Sequence, residues 1–372
     1  MLFNQMKLER IFKQLIQHSL KLRKFENVLI EAVNVSEDLL LLLFREIRRS
    51  GANVFSNIKY DKLMREIALS SNADYYDTLK SIELYQLKKM NAFIGIRSSM
   101  NTNEFFDVPR NQIRILSNHY YNPVHLKYRN KYLRSVFLRI PNESAAQRAG
   151  ISSQLLLNQF YNSCLFNYSL LEKFLDPFVK LLEKTDGIRI LGPGKTDLQF
   201  SIKKMPVLKC VGKRNMPDGE LQTTPVKFSM NGIVEFNIPS TYLGTTFHFV
   251  NLIIKEGKII KFETSDNSKF NSIINIDKGS RYFGEFAFGL NSNIKYPLND
   301  ILYDEKMQGT VHLALGNAYE FCDNGNRSAI HWDLIIDQNI KNGGGKIFCD
   351  DKLIRKDGIF IAEELKLLNK IK

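Results

Sequence analysis

The strongest constraint on the fold is an alternation of strand and helix signals close to the start of the chain. Asn27 to Val33 is a short apolar run with β-branched residues, Leu39 to Arg49 has a helical pattern, and Asn53 to Ile58 has a second strand pattern. Ser36 precedes the helix as an N-cap residue, and Gly51 follows its last turn. Two strands joined through a helix form a β-α-β unit, whose strands pair in parallel. This region therefore predicts an α/β domain with a parallel sheet.

The same alternation continues along the first half of the chain. The pattern predicts a helix from about residue 75 to 90, a strand from Ala92 to Ser98, and the last strand of the sheet from Ser135 to Ile140. Residues 151 to 184 then show a long helical pattern. We expect an interruption near Pro177, because proline has no amide hydrogen for the helix interior.

From Gly187 onward the chain changes to short β-type runs separated by turn residues. These runs are Ile188 to Leu191, Leu198 to Ile202, Pro206 to Val211, Gly232 to Ile238, Thr246 to Ile254, Lys258 to Glu263, Lys346 to Asp350 and Lys352 to Ile361. A chain of 372 residues is also long enough for two domains of ordinary size. We therefore predict an α/β N-terminal domain at residues 1–185 and a β-rich α+β domain at residues 186–372.

The net charge of +13 lies mainly in the first half. Residues 1–185 hold 27 basic and 17 acidic side chains (+10), which leaves 25 and 22 (+3) for residues 186–372. The block 110–142 contains seven basic residues, no acidic residue and four tyrosines. Such a block is typical of a nucleic-acid surface, but also of a solvated helix and loop. We favour the second interpretation, because no nucleic-acid motif accompanies the block.

Other classes of protein are disfavoured by what the sequence lacks. The longest apolar run, Leu39 to Phe44, has six residues, whereas a membrane span needs about 20. The N-terminal segment has no uninterrupted apolar core or cleavage site of a signal peptide, so we predict a cytoplasmic protein without a membrane partner. The four cysteines form no CxxC pair and are expected to be buried free thiols: Cys164, Cys210, Cys322 and Cys349.

The second half contains a candidate metal site. His331 and Asp333 are two residues apart in a strand pattern, which places both side chains on one face. With His312, from another apolar strand pattern, they form a possible set of two histidines and one carboxylate, suited to iron, zinc, manganese or cobalt. Three glutamates in turn-bounded positions make a second ion possible: Glu220, Glu285 and Glu305.

At these residues the sequence resembles the metal-dependent aminopeptidases of the aminopeptidase T type, leucyl aminopeptidases first known from thermophiles. The resemblance covers nearly the whole chain, and its main motifs are Ile94 to Arg97, Leu191 to Gly194, Arg214 to Glu220, Gly284 to Asn291, Asp304 to Lys306, His312 to Gly316, Ser328 to Asp333 and Lys356 to Gly358. It implies hydrolysis of the N-terminal peptide bond of peptides by a metal-activated water at a dinuclear site. It also implies a homodimer.

The resemblance assigns roles to particular residues. The six metal ligands it implies are Glu220, Glu285, Glu305, His312, His331 and Asp333. Glu285 matches the glutamate that bridges both ions, and Tyr319 matches a tyrosine beside the metals that is able to donate a hydrogen bond to the oxyanion. The cofactor implied is a pair of divalent ions, with zinc, cobalt, manganese and magnesium left open.

This sequence also departs from the family pattern. The interval from Glu305 to His312 is longer than in the Asp-Glu-Asn version of the long thermophilic enzymes, and Gln222 replaces an aromatic residue. We expect the second change to affect substrate preference.

Two other functions remain open from the sequence. Ring-cleaving dioxygenases acting on dihydroxypyridine are similar at a greater distance, and would use one Fe(II) on His312, His331 and Asp333. The three additional glutamates favour the hydrolase, because a mononuclear oxygenase has no need of them. A binding protein that recruits an anionic partner through its basic first domain is the third possibility, and the complete ligand set disfavours it.

Overall fold

The computed structural model describes residues 3–371. Its α-helices are α1 (Gln5–Gln14), α2 (Glu37–Arg49), α3 (Asp61–Ser70), α4 (Ala73–Leu87), α5 (Arg110–Leu116), α6 (Asn130–Tyr132), α7 (Glu143–Ala149), α8 (Ser153–Cys164), α9 (Tyr168–Phe174), α10 (Asp176–Leu182), α11 (Asn267–Ile274) and α12 (Ile301–Asp304). Two segments are π-helical, Leu15–Ser19 and Ser117–Arg129. Three short 3₁₀ segments are Glu320–Cys322, Ile340–Asn342 and Glu363–Lys370.

Strands dominate the second half. They are β1 (Asn27–Val33), β2 (Asn53–Lys59), β3 (Ala92–Arg97), β4 (Arg134–Arg139), β5 (Gly187–Leu191), β6 (Asp197–Ser201), β7 (Leu208–Cys210), β8 (Asn215–Met216), β9 (Glu220–Thr223), β10 (Asn231–Phe236), β11 (Ser240–Tyr242), β12 (Thr245–Phe247), β13 (Val250–Lys255), β14 (Lys258–Thr264), β15 (Phe283–Gly289), β16 (Thr310–Gly316), β17 (His331–Asp337), β18 (Lys346–Cys349), β19 (Lys352–Lys356) and β20 (Ile359–Phe360).

The chain divides into two compact units. The N-terminal unit holds the chain up to Leu165 together with Gly212–Pro217, and the C-terminal unit holds Phe166–Val211 and the chain from Asp218 onward. The β-rich texture begins at β5, but α9 and α10 already belong to the C-terminal unit. The reason is that packing assigns a helix to the core that its apolar face joins, whatever the secondary structure that follows it.

The N-terminal unit is an α/β fold around a parallel sheet with the strand order β2-β1-β3-β4-β8. Strands β1 and β3 are buried along almost their whole length, as expected for a parallel sheet with both faces covered. The predicted α/β class is confirmed. The expectation that the strand at Ser135 to Ile140 is the last of the sheet is wrong, because β8 pairs beyond it. A two-residue strand has no periodicity of its own, and only its pairing with Phe137 and Leu138 defines it.

The C-terminal unit is built from antiparallel sheets. An eight-stranded sheet has the order β14-β13-β10-β6-β5-β18-β19-β20, and a five-stranded sheet has the order β17-β16-β15-β9-β7. Strands β15 and β16 of the smaller sheet are fully buried. This sheet carries most of the candidate metal ligands. No helix within residues 3–371 has the length and apolarity that crossing a membrane requires.

The predicted long helical region is divided into three helices, α8, α9 and α10. The Asn167 side chain accepts a hydrogen bond from the Leu170 amide and caps α9. Pro177 lies in the first turn of α10, where a missing amide hydrogen costs nothing. The interruption near this proline is therefore a helix start rather than a kink.

The basic block 110–142 folds as α5, the π-helical segment Ser117–Arg129, α6 and β4. It is only partly the solvated surface that the sequence indicated. Tyr120 and Arg129 are buried, and the Arg129 guanidinium lies 4.9 Å and 4.6 Å from the ring centres of Phe93 and Phe137. An arginine stem and a tyrosine ring carry enough apolar surface to pack in a core when their polar ends find partners.

Candidate metal centre

Five of the six predicted ligands lie on one face of the five-stranded antiparallel sheet of the C-terminal unit, β17-β16-β15-β9-β7. Opposite residues in an antiparallel pair face the same side, and side chains alternate along each strand. The register pairs Glu220 with Gly289, Glu285 with Ala314, and Ala314 with Asp333. It also pairs His312 with Ala287 and His331 with Gly316, in positions that alternation places on this same face.

The residues between the ligands on this face are small. They are Ala287, Gly289, Ala314 and Gly316. Alanine and glycine leave the space above the sheet to the longer ligand side chains. A Cβ atom at Gly289 would lie 2.8 Å from the carbonyl oxygen of Glu305 and 2.3 Å from that of Met307, so only glycine lets this turn rest on the sheet. The turn brings the sixth predicted ligand, Glu305, to the site.

Glu285 lies between the two imidazoles. Its Oε1 atom is 3.1 Å from Nε2 of His312, and its Oε2 atom is 3.2 Å from Nε2 of His331. The Nε2 atom of His331 is also 3.5 Å from Oδ1 of Asp333, and that of His312 is 3.9 Å from Oε2 of Glu220. The Glu285 carboxylate is thus in contact with both histidines of the cluster.

The backbone orients both histidines. Nδ1 of His312 lies 3.3 Å from the carbonyl oxygen of Glu305, and Nδ1 of His331 lies 2.8 Å from that of Asn317. A carbonyl oxygen only accepts hydrogen bonds, so each Nδ1 donates and each Nε2 faces the carboxylates. This arrangement is typical of metal-binding histidines.

Two groups of side chains bring ligand atoms within 4.8 Å of one another. One is Glu285, His331 and Asp333, and the other is Glu305, His312 and Asp333. The structure thus brings the six predicted ligands into one cluster, with Glu220 at its edge. The ring of Tyr319 lies with its centre 4.5 Å from that of His331 and is 42% exposed. Tyr319 is therefore a partly exposed residue at the border of the cluster.

The donor set fits divalent cations. Oε2 of Glu220 and Oδ1 of Asp333 are buried without a hydrogen-bond donor among the described residues. A buried carboxylate oxygen without a hydrogen bond is costly, and a metal ion held by these oxygens would supply the missing interaction. Carboxylate and imidazole together suit zinc, manganese, cobalt and iron.

The pKa values show the strength of the negative field. Burial raises the pKa of Glu305 to about 8. The Asp333 carboxylate also raises this pKa, whereas the Lys306 ammonium lowers it. Burial alone would lower the pKa of His312, but the hydrogen bond to Glu285 and the charge of Glu220 raise it to about 10. The cluster is short of positive charge, which divalent ions would supply.

Three residues at the cluster were not predicted from the sequence as site residues: Cys210, Asp218 and Lys306. Cys210 and Asp218 place ligand atoms within 4.8 Å of each other and of Glu220, and the Lys306 ammonium is buried between Glu220 and Glu305. All four cysteines are free as predicted, but Cys210 is half-buried rather than buried. Its proximity to Glu220 comes from the pairing of β7 with β9, which sequence spacing does not reveal.

The chain matches the family described as thermophilic metalloprotease (M29) over residues 4–358. It belongs to this family. The resemblance found in the sequence is therefore confirmed, and the divalent metal that the family name implies agrees with the donor set. Two curated relatives match over shorter segments. Aminopeptidase AmpS of Bacillus subtilis (strain 168) is 29% identical over 128 residues, which are 32% of this chain and 30% of that protein.

Aminopeptidase 2 of Geobacillus stearothermophilus is 31% identical over 113 residues, 28% of this chain and 26% of that protein. The chain thus spans less than a third of either curated relative in the matched segments. Among solved structures, wild-type AmpT from Thermus thermophilus aligns with a TM-score of 0.80 at 17% identity, over 96% of this chain and 99% of that one. The 2,5-dihydroxypyridine dioxygenase from Pseudomonas putida KT2440 aligns with a TM-score of 0.62 at 13% identity, over 98% and 100%. At these identities, both likenesses show the fold alone.

Proposed function

We propose that this M29 family member is a metal-dependent aminopeptidase that releases the N-terminal residue of peptides at a two-ion site. The observation that carries the proposal is the position of Glu285, whose two carboxylate oxygens each contact a different imidazole. Together with Glu285, three further carboxylates and two histidines form a ligand set large enough for two ions. The names of the two curated relatives, both aminopeptidases, support the same activity.

The side chains of the cluster have different roles in such a reaction. Two divalent ions held by Glu220, Glu285, Glu305, His312, His331 and Asp333 would lower the pKa of water toward about 7 and polarise the scissile carbonyl. Glu285 fixes the two imidazoles relative to each other through its paired contacts. Tyr319, held against His331, donates a hydrogen bond to the carbonyl oxygen as negative charge develops there.

The alternative is a mononuclear Fe(II) ring-cleaving dioxygenase that uses His312, His331 and Asp333. The structure of such an enzyme shares the fold with this chain, but at 13% identity this carries no statement about the reaction. Glu220 and Glu305 also lie at the cluster, beside the Glu285 carboxylate. A single iron ion would leave Glu220 and Glu305 with the Lys306 ammonium as their counter-charge and without a role as metal ligands, so the hydrolase is the better proposal.

Metal content and activity, measured on the same preparation, test the proposal. We expect about two divalent ions per chain by elemental analysis, and release of free amino acid from unblocked but not from N-acetylated peptides. One iron per chain together with oxygen consumption on a dihydroxypyridine would overturn the hydrolase in favour of the dioxygenase. The homodimer and the cytoplasmic location stay predictions, and light scattering of the purified protein tests the first of them.

A further inference from the structure

The side chain of Lys306 is the feature of the cluster that the proposed reaction leaves unexplained. It is 1% exposed, and its ammonium bonds to Oε1 of Glu305 and lies 3.6 Å from Oε2 of Glu220. Both partners are predicted metal ligands. A lysine that is almost completely buried is rare, and it requires paired negative charges.

The backbone, rather than the charge, puts Lys306 in this place. Its amide donates to the carbonyl of Tyr303 at 3.0 Å, and its carbonyl accepts from the amide of Asn291 at 2.8 Å. The neighbouring carboxylate of Asp304 accepts from the amides of Leu298 and Asp300 at 2.6 and 3.1 Å. Asp304 therefore fixes the turn, and the ammonium is directed at the metal ligands.

The predicted ligands include four carboxylates, and the Lys306 ammonium contacts two of them, Glu305 and Glu220. The Lys306 ammonium, enclosed with these two carboxylates, places a positive charge beside the position that a divalent ion would occupy.

We propose that Lys306 is a positioning residue of the metal centre, a built-in cation that competes with divalent ions for Glu220 and Glu305 and so limits how tightly they are held. This inference rests on the metal site of the proposed function. Before ions bind, the ammonium draws the two carboxylates together and stabilises the metal-free fold. After they bind, it repels the adjacent ion at short range in a low-dielectric environment.

The test is zinc binding by the full-length protein, measured by competition with a chromophoric chelator. Lys306→Met removes the charge, and we expect zinc to be held about tenfold more tightly or better, a change of the size known for groups just outside a metal's ligands. Lys306→Arg keeps the charge, and we expect an affinity within about twofold of the wild type. Unchanged or weaker binding by Lys306→Met would overturn the proposal.

A matched control comes from the N-terminal unit. The ammonium of Lys59 also lies between two buried glutamates, Glu31 and Glu83, although its side chain is 22% exposed, and neither of these partners is a predicted ligand. Lys59→Met should leave zinc affinity within about twofold of the wild type, because it removes the same kind of ion pair away from the ligands. A tenfold increase in this control would show that any lysine between two buried glutamates gives the effect, and would overturn a specific role of Lys306.

Stability provides the second readout. Lys306→Met should melt at a lower temperature without zinc and show a larger rise on zinc addition than the wild type, because the ion replaces the lost counter-charge. A variant that stays unfolded with and without zinc contradicts the proposal. Wild-type protein that binds no zinc and cleaves no peptide would instead refute the metal centre itself, so the two failures are distinguishable.

Discussion

Each unit of this protein places a lysine between two glutamates beside a histidine, and the surrounding charges of the two clusters are opposite in sign. Lys306 is buried, whereas the side chain of Lys59 is 22% exposed. In the N-terminal unit, the ammonium of Lys59 lies 2.8 Å from Glu31 and 2.8 Å from Glu83. In the C-terminal unit, Lys306 contacts Glu305 and Glu220. Ligand types and spacing are similar enough that both clusters have the composition of a metal site.

The difference lies in the remaining charges. Arg97 approaches Glu31 at 3.3 Å, and Arg129 lies 2.9 Å from Nδ1 of His125, so cations exceed carboxylates in the N-terminal cluster. Burial lowers the pKa of His125 to about 3. The positive charge of Arg129 also lowers this pKa, whereas the negative charge of Glu31 raises it.

In the C-terminal cluster the pKa of His312 is raised to about 10, because carboxylates rather than arginines surround the imidazole. The sign of the surrounding field, rather than the presence of ligand atoms, distinguishes the two clusters, and the field of the C-terminal cluster is the one that favours a bound cation.

The largest expected effect tests the bridging position. Glu285→Ala should lose about 10⁴-fold in kcat and retain at most one divalent ion, because both imidazoles lose their shared partner. Glu31→Ala is the matched control and should keep its metal. Circular dichroism confirms folding, and elemental analysis with a peptide assay gives the result. Full turnover by Glu285→Ala would show that this residue bridges no ions.

The next effect concerns stability. Lys59→Met should lower the free energy of unfolding by about 3–5 kcal/mol, because it leaves two buried carboxylates without their ammonium. The metal content should not change. Urea unfolding with and without chelator measures both quantities. A loss of metal by this variant would mean that the two clusters are not functionally separate.

Tyr319→Phe is expected to have a smaller effect on activity. Loss of the hydroxyl should lower kcat by about 10²-fold while KM and metal content stay close to the wild type, because the hydrogen bond strengthens only as the oxyanion forms. Steady-state kinetics with a peptide substrate measures kcat and KM of the variant and the wild type. An increase in KM alone would assign Tyr319 to substrate binding instead.

The smallest effect is a pH dependence in the N-terminal cluster. The ordinary pKa of His125 is 6.5 and the folded value is about 3, so below pH 6.5 the unfolded chain binds a proton that the folded protein excludes. The contribution of His125 to stability is therefore lost as the pH falls from 6.5 toward 3. His125→Gln should reduce this slope by at most about 1.4 kcal/mol per pH unit. Unfolding curves at pH 6.5, 5.5 and 4.5 test this, and equal slopes would contradict it.

The sequence predicted the elements with strong local signals. The β-α-β unit at residues 27–58 and the strand face that joins His331 to Asp333 both follow from periodicity over a few residues. It did not predict the pairing of β8 with β4 or the inward positions of Tyr120 and Arg129. Such features depend on partners distant in the chain, and local patterns carry no information about these.

The candidate site shows the same division. The sequence alone determined the residue types, the order of the motifs and the resemblance to the family, because these properties depend only on the order of residues in the chain. Only the tertiary structure decided that Glu285 touches both imidazoles, that Lys306 is enclosed by predicted metal ligands, and that the chemically similar Glu31 and Glu83 are paired with Lys59 and Arg97. The physical reason is that electrostatic energy depends on distance and burial in three dimensions, and four strands and one turn must meet before those distances exist.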